Sequence, residues 1–130
     1  MIKSIAIIPA RGGSKRIPKK NIKSFYGKPL IYYAIKSAIK SNCFERIIVS
    51  TDNKKIARIS KKYGAEILFM RPKKLSNDKA STRAVTIHCI KFLQNLRFKF
   101  DYVCQIYPTA VLMNYKNLIY LSLLNSFNLF

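Results

Sequence analysis

The sequence predicts an α/β fold in which a mostly parallel sheet is covered by helices on both faces. Its apolar runs, such as Ile5–Ile8 and Ile47–Val49, are short and nearly continuous, which is typical of strands buried on both sides. Segments with helical periodicity separate these runs, and this alternation indicates a parallel sheet. With 130 residues, 49% of them hydrophobic, the chain is predicted to form a single domain over residues 1–130.

Each predicted element follows from a local signal. Pro29 precedes the apolar positions of the first helix, and proline is favoured in a first helical turn. Asp52 or Asn53 can cap the second helix. Gly64 ends that helix, and Ser81 caps the third. In chain order we expect a strand over 4–10, a helix over 30–39, a strand over 46–50, a helix over 54–63, a strand over 65–70, a helix over 81–96, a strand over 101–107 and a helix over 115–126.

The formal net charge of +20 comes from 25 basic and only five acidic residues. An excess of this size suits a partner such as nucleic acid, an anionic membrane surface or a phosphorylated small molecule. A purely compositional origin fits equally well, since the lysines are spread along the whole chain. The tyrosines are scattered at core-like spacing and predict no base-stacking platform, so a nucleic-acid partner is disfavoured.

The cysteines and the single histidine suggest no chemistry of their own. Cys43, Cys89 and Cys104 form no Cys-x-x-Cys pair, which predicts free thiols in a cytoplasmic protein. No signal peptide or membrane-spanning segment is visible, so we expect no membrane partner. His88 lies among apolar residues without a serine–carboxylate set, which argues against hydrolytic catalysis.

The most informative segment is the basic loop at residues 9–21, directly after the first predicted strand. Gly12 and Gly13 allow backbone N–H groups to approach an anion, and five arginine and lysine side chains add positive charge. The loop matches neither a Walker A motif nor a dinucleotide fingerprint. Cations here can offset charge that gathers when a nucleoside triphosphate is split between its α and β phosphorus atoms. Arg11 and Lys20 are therefore the candidate catalytic residues.

Loops that follow the predicted strands should meet at one site, because ligands of parallel α/β sheets bind outside the carboxyl ends of the strands. Asn21 closes the first of these loops with an amide that can contact a ribose hydroxyl or a base edge. The segments expected to converge are residues 11–21, 51–52, 71–82 and 107–109.

Four motifs stand at these strand ends. They are Pro9-Ala10-Arg11-Gly12-Gly13-Ser14-Lys15-Arg16-Ile17-Pro18 with Lys20-Asn21, Ile48-Val49-Ser50-Thr51-Asp52, the stretch from Arg71-Pro72 to Ser81-Thr82, and Tyr107-Pro108-Thr109-Ala110. In this order they resemble the cytidylyltransferases that activate nonulosonic acids, the acylneuraminate and pseudaminic acid cytidylyltransferases. The resemblance covers nearly the whole chain. It implies a three-layer, Rossmann-like fold of the nucleotide-diphospho-sugar transferase type, and transfer of CMP from CTP to an acidic nine-carbon sugar with release of pyrophosphate.

The resemblance also implies roles for individual residues. Those on the phosphate side are Arg11, Gly12, Gly13, Ser14, Lys15 and Lys20, with Asn21 at the nucleoside. Those at the cytosine pocket are Arg71, Ala80, Ser81 and Thr82, with Asp78 bracing that loop. Tyr107 stands where the sialic acid branch has a glutamine, and this favours pseudaminic acid over N-acylneuraminic acid as the acceptor.

Mg²⁺ bridging the phosphates and a homodimer are further implications of the resemblance. Asp52 and Asp78 could touch a metal, but each has a structural alternative, as a helix cap and as a brace of the base loop, so the metal ligands stay unassigned. Family members are longer, and we expect this chain to be the truncated amino-terminal half of such an enzyme, without the dimer-forming segment. Two alternatives stay open: an inactive nucleotide-binding fragment and a basic nucleic-acid-binding module.

Overall fold

A computed structural model of the chain describes residues 2–13, 20–109 and 116. In chain order its elements are β1 (Ser4–Pro9), a 3-10 turn (Lys20–Ile22), β2 (Ser24–Phe25), β3 (Lys28–Pro29), α1 (Leu30–Ser41), β4 (Arg46–Ser50), α2 (Lys54–Lys62), a second 3-10 turn (Lys73–Leu75), α3 (Thr82–Asn95) and β5 (Tyr102–Gln105). A three-stranded sheet with the strand order β4-β1-β5 forms the centre.

Both neighbours of the central strand β1 run parallel to it. Ile7 of β1 lies opposite Ile48 of β4 and Gln105 of β5. Because the three strands run in the same direction, their carboxyl ends reach the same edge of the sheet. The predicted parallel sheet is therefore confirmed.

Alternate residues of β1 face opposite sides of the sheet, and each side has its own core cluster. Ala6 and Ile8 pack with α1 and α2, whereas Ile5 and Ile7 pack with α3. The first cluster includes Ile31, Ala34, Ile35 and Ala38 of α1 and Ile56 of α2, and the second includes Cys89 and Leu93 of α3. Helices thus cover both faces, which confirms the predicted three-layer arrangement.

The strand predicted over residues 65–70 is wrong, because this segment forms only one parallel bridge, between Glu66 and Ile48. Two backbone hydrogen bonds hold Glu66 to the edge of β4. The next residues do not continue the pairing: the consecutive Leu68 and Phe69 pack against the same core cluster. A strand would send them to opposite faces of the sheet.

Other boundaries differ by a few residues. β5 ends at Gln105, two residues before the predicted end, and β1 ends at Pro9. A short antiparallel hairpin, β2–β3, was not predicted; its turn residues Tyr26 and Gly27 have φ values of 49° and 80°. The helix predicted over 115–126 lies outside the described residues except for position 116.

The helix caps settle which of two candidates begins α2. Asn53 Oδ1 accepts from the N–H groups of Lys55 and Ile56 at 2.9 and 3.0 Å, so Asn53 is the cap. The capping role predicted for Asp52 is wrong, since its Oδ1 accepts instead from the Gly12 N–H at 2.8 Å. At α3 the Ser81 cap is present as predicted.

The three cysteines are free thiols, as predicted. Burial raises the pKa of the Cys89 thiol to about 12 and also raises the pKa of Cys104. Within the described ranges, no helix has both the length and the apolar character needed to cross a membrane.

Candidate functional site

A cavity opens at the carboxyl edge of the parallel sheet. Its lining residues are Pro9, Arg11, Asn21, Arg71, Ala80, Thr82, Val85, Tyr107, Pro108 and Thr109. Residues from the segments predicted over 11–21, 71–82 and 107–109 therefore meet in one place. The fourth segment, 51–52, lies next to this site, where Asp52 holds the Gly12 N–H.

Arg11 is held both at its backbone and at the tip of its side chain. Its carbonyl accepts from Asn21 Nδ2 at 2.8 Å. Its Nη1 donates to Asp78 Oδ1 at 2.6 Å. The side chains of Arg11 and Asp78 are 32% and 39% exposed, so the pair stands at the mouth of the cavity where an anion can reach the guanidinium.

The two glycines of this loop have different surroundings. A Cβ on Gly12 would lie 2.8 Å from the Cβ of Asn53, so the loop can lie against the start of α2 only with glycine here. A Cβ on Gly13 would meet nothing within 4 Å. The Gly12 N–H, which we predicted to approach an anion, is donated to the Asp52 carboxylate.

Arg71 is buried, with 6% of its surface exposed. Its Nε and Nη2 donate to Oγ and the carbonyl oxygen of Ser50 at 3.1 and 2.6 Å, and Nη1 donates to the Leu75 carbonyl at 3.3 Å. Burial lowers the pKa of Arg71, the charge of Asp52 opposes this, and the charge of Arg11 lowers it further. These bonds use three of the five N–H donors of an arginine, which leaves donors for a ligand in the cavity.

Asn21 is also buried, and one atom of its amide lacks a partner. Nδ2 donates to the Arg11 carbonyl, whereas Oδ1 has no hydrogen-bond partner within the described part of the chain. A buried acceptor without a donor costs about 1–3 kcal/mol. This oxygen is therefore suited to a donor on a bound molecule, such as the ribose hydroxyl that the sequence suggested.

Side-chain hydrogen bonds fix the turn over residues 76–82. Asn77 Oδ1 accepts from the N–H groups of Lys79 and Ala80, both at 2.9 Å. Ser81 Oγ accepts from the Ala84 N–H at 3.0 Å and so is used in capping α3. Ala80 and Thr82 line the cavity. Thr82 is therefore better placed than Ser81 to offer a hydroxyl to a ligand.

At the end of β5, Tyr107 is 56% exposed and forms part of the rim with Pro108 and Thr109. Sequence reasoning missed Val85, which lines the cavity one helical turn after Thr82; the i, i+3 spacing on α3 could have revealed it.

Two residues that hold the site in place were also missed. Ser50 ends β4 and accepts twice from Arg71. Asn77 builds the turn, and asparagine before such a turn is a recognisable Asx-turn signal.

Three of the predicted phosphate-side residues cannot be placed in the cavity. Ser14 and Lys15 lie outside the described residues. Lys20 begins the first 3-10 turn, and only its backbone is described. Their roles remain predictions.

The described residues do not build a metal site by themselves. No group of three or more histidine, cysteine or carboxylate side chains is close enough together within them to hold an ion. The two carboxylates beside the cavity already accept hydrogen bonds, Asp52 from Gly12 and Asp78 from Arg11.

The chain matches one protein-family model and is similar to named enzymes of several bacteria. A family model described as cytidylyltransferase matches residues 5–120. The pseudaminic acid cytidylyltransferase of Campylobacter jejuni serotype O:2 is 49% identical over 113 residues, which are 87% of this chain and 49% of that protein. The CMP-N,N'-diacetyllegionaminic acid synthase of Legionella pneumophila is 41% identical over 82% of this chain and 46% of its own length. This chain thus spans about half the length of these relatives.

Solved structures share the fold. The structure of CMP:2-keto-3-deoxy-manno-octonic acid synthetase complexed with CTP matches 95% of this chain and 48% of its own, with a TM-score of 0.75 and 21% identity. A cytidylyltransferase from Leptospira borgpetersenii matches 92% of this chain and 47% of its own, with a TM-score of 0.68 and 20% identity. The predicted fold class is confirmed by these matches.

Proposed function

Because the chain belongs to the cytidylyltransferase family, we propose that it carries the nucleotide-binding part of an enzyme that transfers CMP from CTP to a nonulosonic acid. The observation that supports this most directly is that Arg11, Arg71 and the turn with Ala80 and Thr82 line one cavity. We favour pseudaminic acid as the acceptor, since two relatives named pseudaminic acid cytidylyltransferase are 49% and 48% identical to this chain.

The proposed reaction is a displacement at the α-phosphorus of CTP. The anomeric hydroxyl oxygen of the sugar bonds to that phosphorus and releases its proton to water, while the bond from that phosphorus to the oxygen bridging the α and β phosphorus atoms breaks. Pyrophosphate leaves with the bonding electrons. Arg11, at the cavity mouth, and Lys20 would offset the negative charge that grows on the phosphates. Ser14 and Lys15 would extend this phosphate side.

Cytosine would be recognised by other residues of the same cavity. Donors left on Arg71 can bond to the carbonyl oxygen of the base, and the Ala80 carbonyl can accept from its exocyclic amine. Thr82 offers a hydroxyl to the same edge. The unpaired Oδ1 of Asn21 would accept from a ribose hydroxyl.

Mg²⁺ is proposed to arrive with the triphosphate, because Mg²⁺ in such sites is bound largely through substrate phosphates and water, with only one or two protein carboxylates. Bound there, it would neutralise phosphate charge. For the complete enzyme we also propose a homodimer, on the resemblance to the family, and a cytoplasmic location, on the free thiols.

Calorimetric titration tests the nucleotide part of this proposal. CTP should bind the chain more tightly than UTP or ATP, and Arg11→Ala should weaken CTP binding by roughly 1.5–3 kcal/mol through loss of a charged hydrogen bond. Equal, steeply salt-dependent affinity for every polyanion, duplex DNA included, would instead favour a basic nucleic-acid-binding module.

Turnover needs a second assay. Pyrophosphate release is measured with CTP and either pseudaminic or N-acylneuraminic acid, first with this chain and then with a chain extended to the length of its relatives. Release with pseudaminic acid as the better acceptor supports the proposal. Selective CTP binding without pyrophosphate release from either chain would instead mean that this chain is an inactive nucleotide-binding fragment.

A further inference from the structure

Asp78 joins two parts of the cavity that are far apart in sequence. It belongs to the turn over residues 76–82, and its Oδ1 accepts from Nη1 of Arg11, which follows β1. The contact spans 67 positions of the chain and measures 2.6 Å. Charge-assisted hydrogen bonds of this length are among the stronger polar contacts in proteins.

Hydrogen bonds within the turn hold the backbone of Asp78 in a fixed position. Asn77 Oδ1 holds the N–H groups of Lys79 and Ala80, so the backbone is fixed on both sides of Asp78. Ser76 Oγ donates to the Pro72 carbonyl at 2.8 Å, and this anchors the start of the turn. The long side chain of Arg11 has more rotatable bonds than aspartate, so the guanidinium takes its position from the carboxylate rather than the reverse.

We propose that Asp78 is a positioning residue: it belongs to the turn on the base side of the site, and it holds the Arg11 guanidinium at the cavity mouth, on the phosphate side. This inference rests on the proposed function, in which Arg11 meets the triphosphate. Asp78 accepts at one nitrogen of Arg11, and a guanidinium has five N–H donors, so donors remain for a phosphate oxygen. Because Arg11 is already oriented before a ligand binds, less side-chain conformational entropy is lost on binding.

The test measures the affinity of Asp78→Asn for tripolyphosphate, for cytidine and for CTP by calorimetry. The expected result is that tripolyphosphate and CTP bind about tenfold more weakly while cytidine affinity is unchanged, because the misplaced group is a phosphate contact. Glu45→Gln is the matched control, since it removes one negative charge from another exposed position. Loss of a negative charge alone should slightly tighten polyanion binding, which is opposite to the expected effect.

A double-mutant cycle shows whether Asp78 acts through Arg11. In an Arg11→Ala background, Asp78→Asn should have no further effect on tripolyphosphate binding, and Asp78→Glu in the otherwise unchanged chain should recover most of the affinity. Tighter or unaltered tripolyphosphate binding by Asp78→Asn would overturn the proposal, as would equal weakening of cytidine and tripolyphosphate. Unselective binding of CTP and UTP by the unmodified chain would refute the proposed function instead, and the tripolyphosphate arm would still report on Asp78.

Discussion

Arg71 stays buried because oxygen acceptors surround its guanidinium. Ser50 supplies two of them and Leu75 supplies the third. Lysine would keep the charge at this position, but a single ammonium group cannot match the planar arrangement of donors. Arg71→Lys should therefore lower the free energy of unfolding by about 2–3 kcal/mol, as acceptors lose their donors.

Urea unfolding at neutral pH measures this loss. Arg58→Lys is the matched control, because Arg58 is exposed on α2 and its replacement should change stability by no more than about 0.5 kcal/mol. Similar small changes in both variants would show that the bonds of Arg71 contribute little to folding.

Burial of Cys89 gives the fold a dependence on alkaline pH. Its thiol has a pKa of about 12 in the folded chain, raised from an ordinary value of 9.0. Above pH 9 the unfolded chain loses this proton while the folded chain keeps it, so stability falls as pH rises toward 12. The contribution of this one group should decline by about 1.4 kcal/mol per pH unit across that window.

Comparison with Cys89→Ala isolates the contribution of this thiol. The variant is less stable at pH 8 because a buried side chain is lost, but the difference between the two chains should shrink by pH 10.5. Urea midpoints at both pH values give the result. A constant difference would mean that Cys89 does not titrate in this way.

The strand-end rule predicted which segments would meet at the cavity, because it needs only the order of buried runs and loops. Arg11, Asn21, Arg71 and Ala80 were all predicted, and all line the cavity. The rule does not predict which of two neighbouring polar residues forms a given hydrogen bond. Asp52 bonds to Gly12, which is 40 positions away, and no local pattern reveals such a partner.

Among the elements, the glycine loop and the cap of α2 depend on one another. A Cβ on Gly12 would come within 2.8 Å of both the Cβ and the Nδ2 of Asn53, the residue that caps α2. Gly12→Ala should therefore displace the cap and lower the free energy of unfolding by about 1–3 kcal/mol, as overpacking does elsewhere.

Gly13→Ala provides the matched control for this element. The added methyl group meets no atom within 4 Å, so stability should stay within about 0.5 kcal/mol of the unmodified chain. Far-ultraviolet circular dichroism during urea unfolding compares the two variants. Equal effects of the two substitutions would mean that contact with Asn53 is not the reason for glycine at position 12.

The sequence predicted helices better than the edges of the sheet. Caps such as Ser81 are local signals, and α1, α2 and α3 were all expected within a few residues. The segment after α2 reads as a strand because apolar residues follow one another. In the fold, the consecutive Leu68 and Phe69 both pack against the core cluster that contains Cys89 and Leu93 of α3. This packing depends on the position of α3, which the sequence of the segment does not reveal.

Across the whole molecule, the few carboxylates stabilise particular contacts and leave the positive charge largely uncompensated. Glu66 and Asp78 form ion pairs with Arg46 and Arg11. Asp52 and Asp101 accept instead from backbone N–H groups, those of Gly12 and Lys3. The Tyr32 ring meets that of its sequence neighbour Tyr33 and that of the distant Tyr63, with ring centroids 5.1 and 4.8 Å apart. These rings meet edge to face, which is a packing arrangement and not a platform for stacked bases.

This uncompensated charge predicts that salt stabilises the fold. The net charge of +20 repels itself within a 130-residue chain, and the Debye length falls from about 30 Å at 0.01 M salt to about 8 Å at 0.15 M. Surface ion pairs contribute only about 0–1 kcal/mol each, so their screening opposes this gain weakly. The thermal midpoint should rise by a few degrees across this range of NaCl. A second series in sodium sulfate at equal ionic strength separates screening from anion binding. If sulfate binds in the cavity, the thermal midpoint should rise more in sulfate than in NaCl, and this extra rise should disappear in Arg11→Ala. A thermal midpoint that stays constant or falls with NaCl would show that repulsion among the positive charges does not destabilise the folded chain.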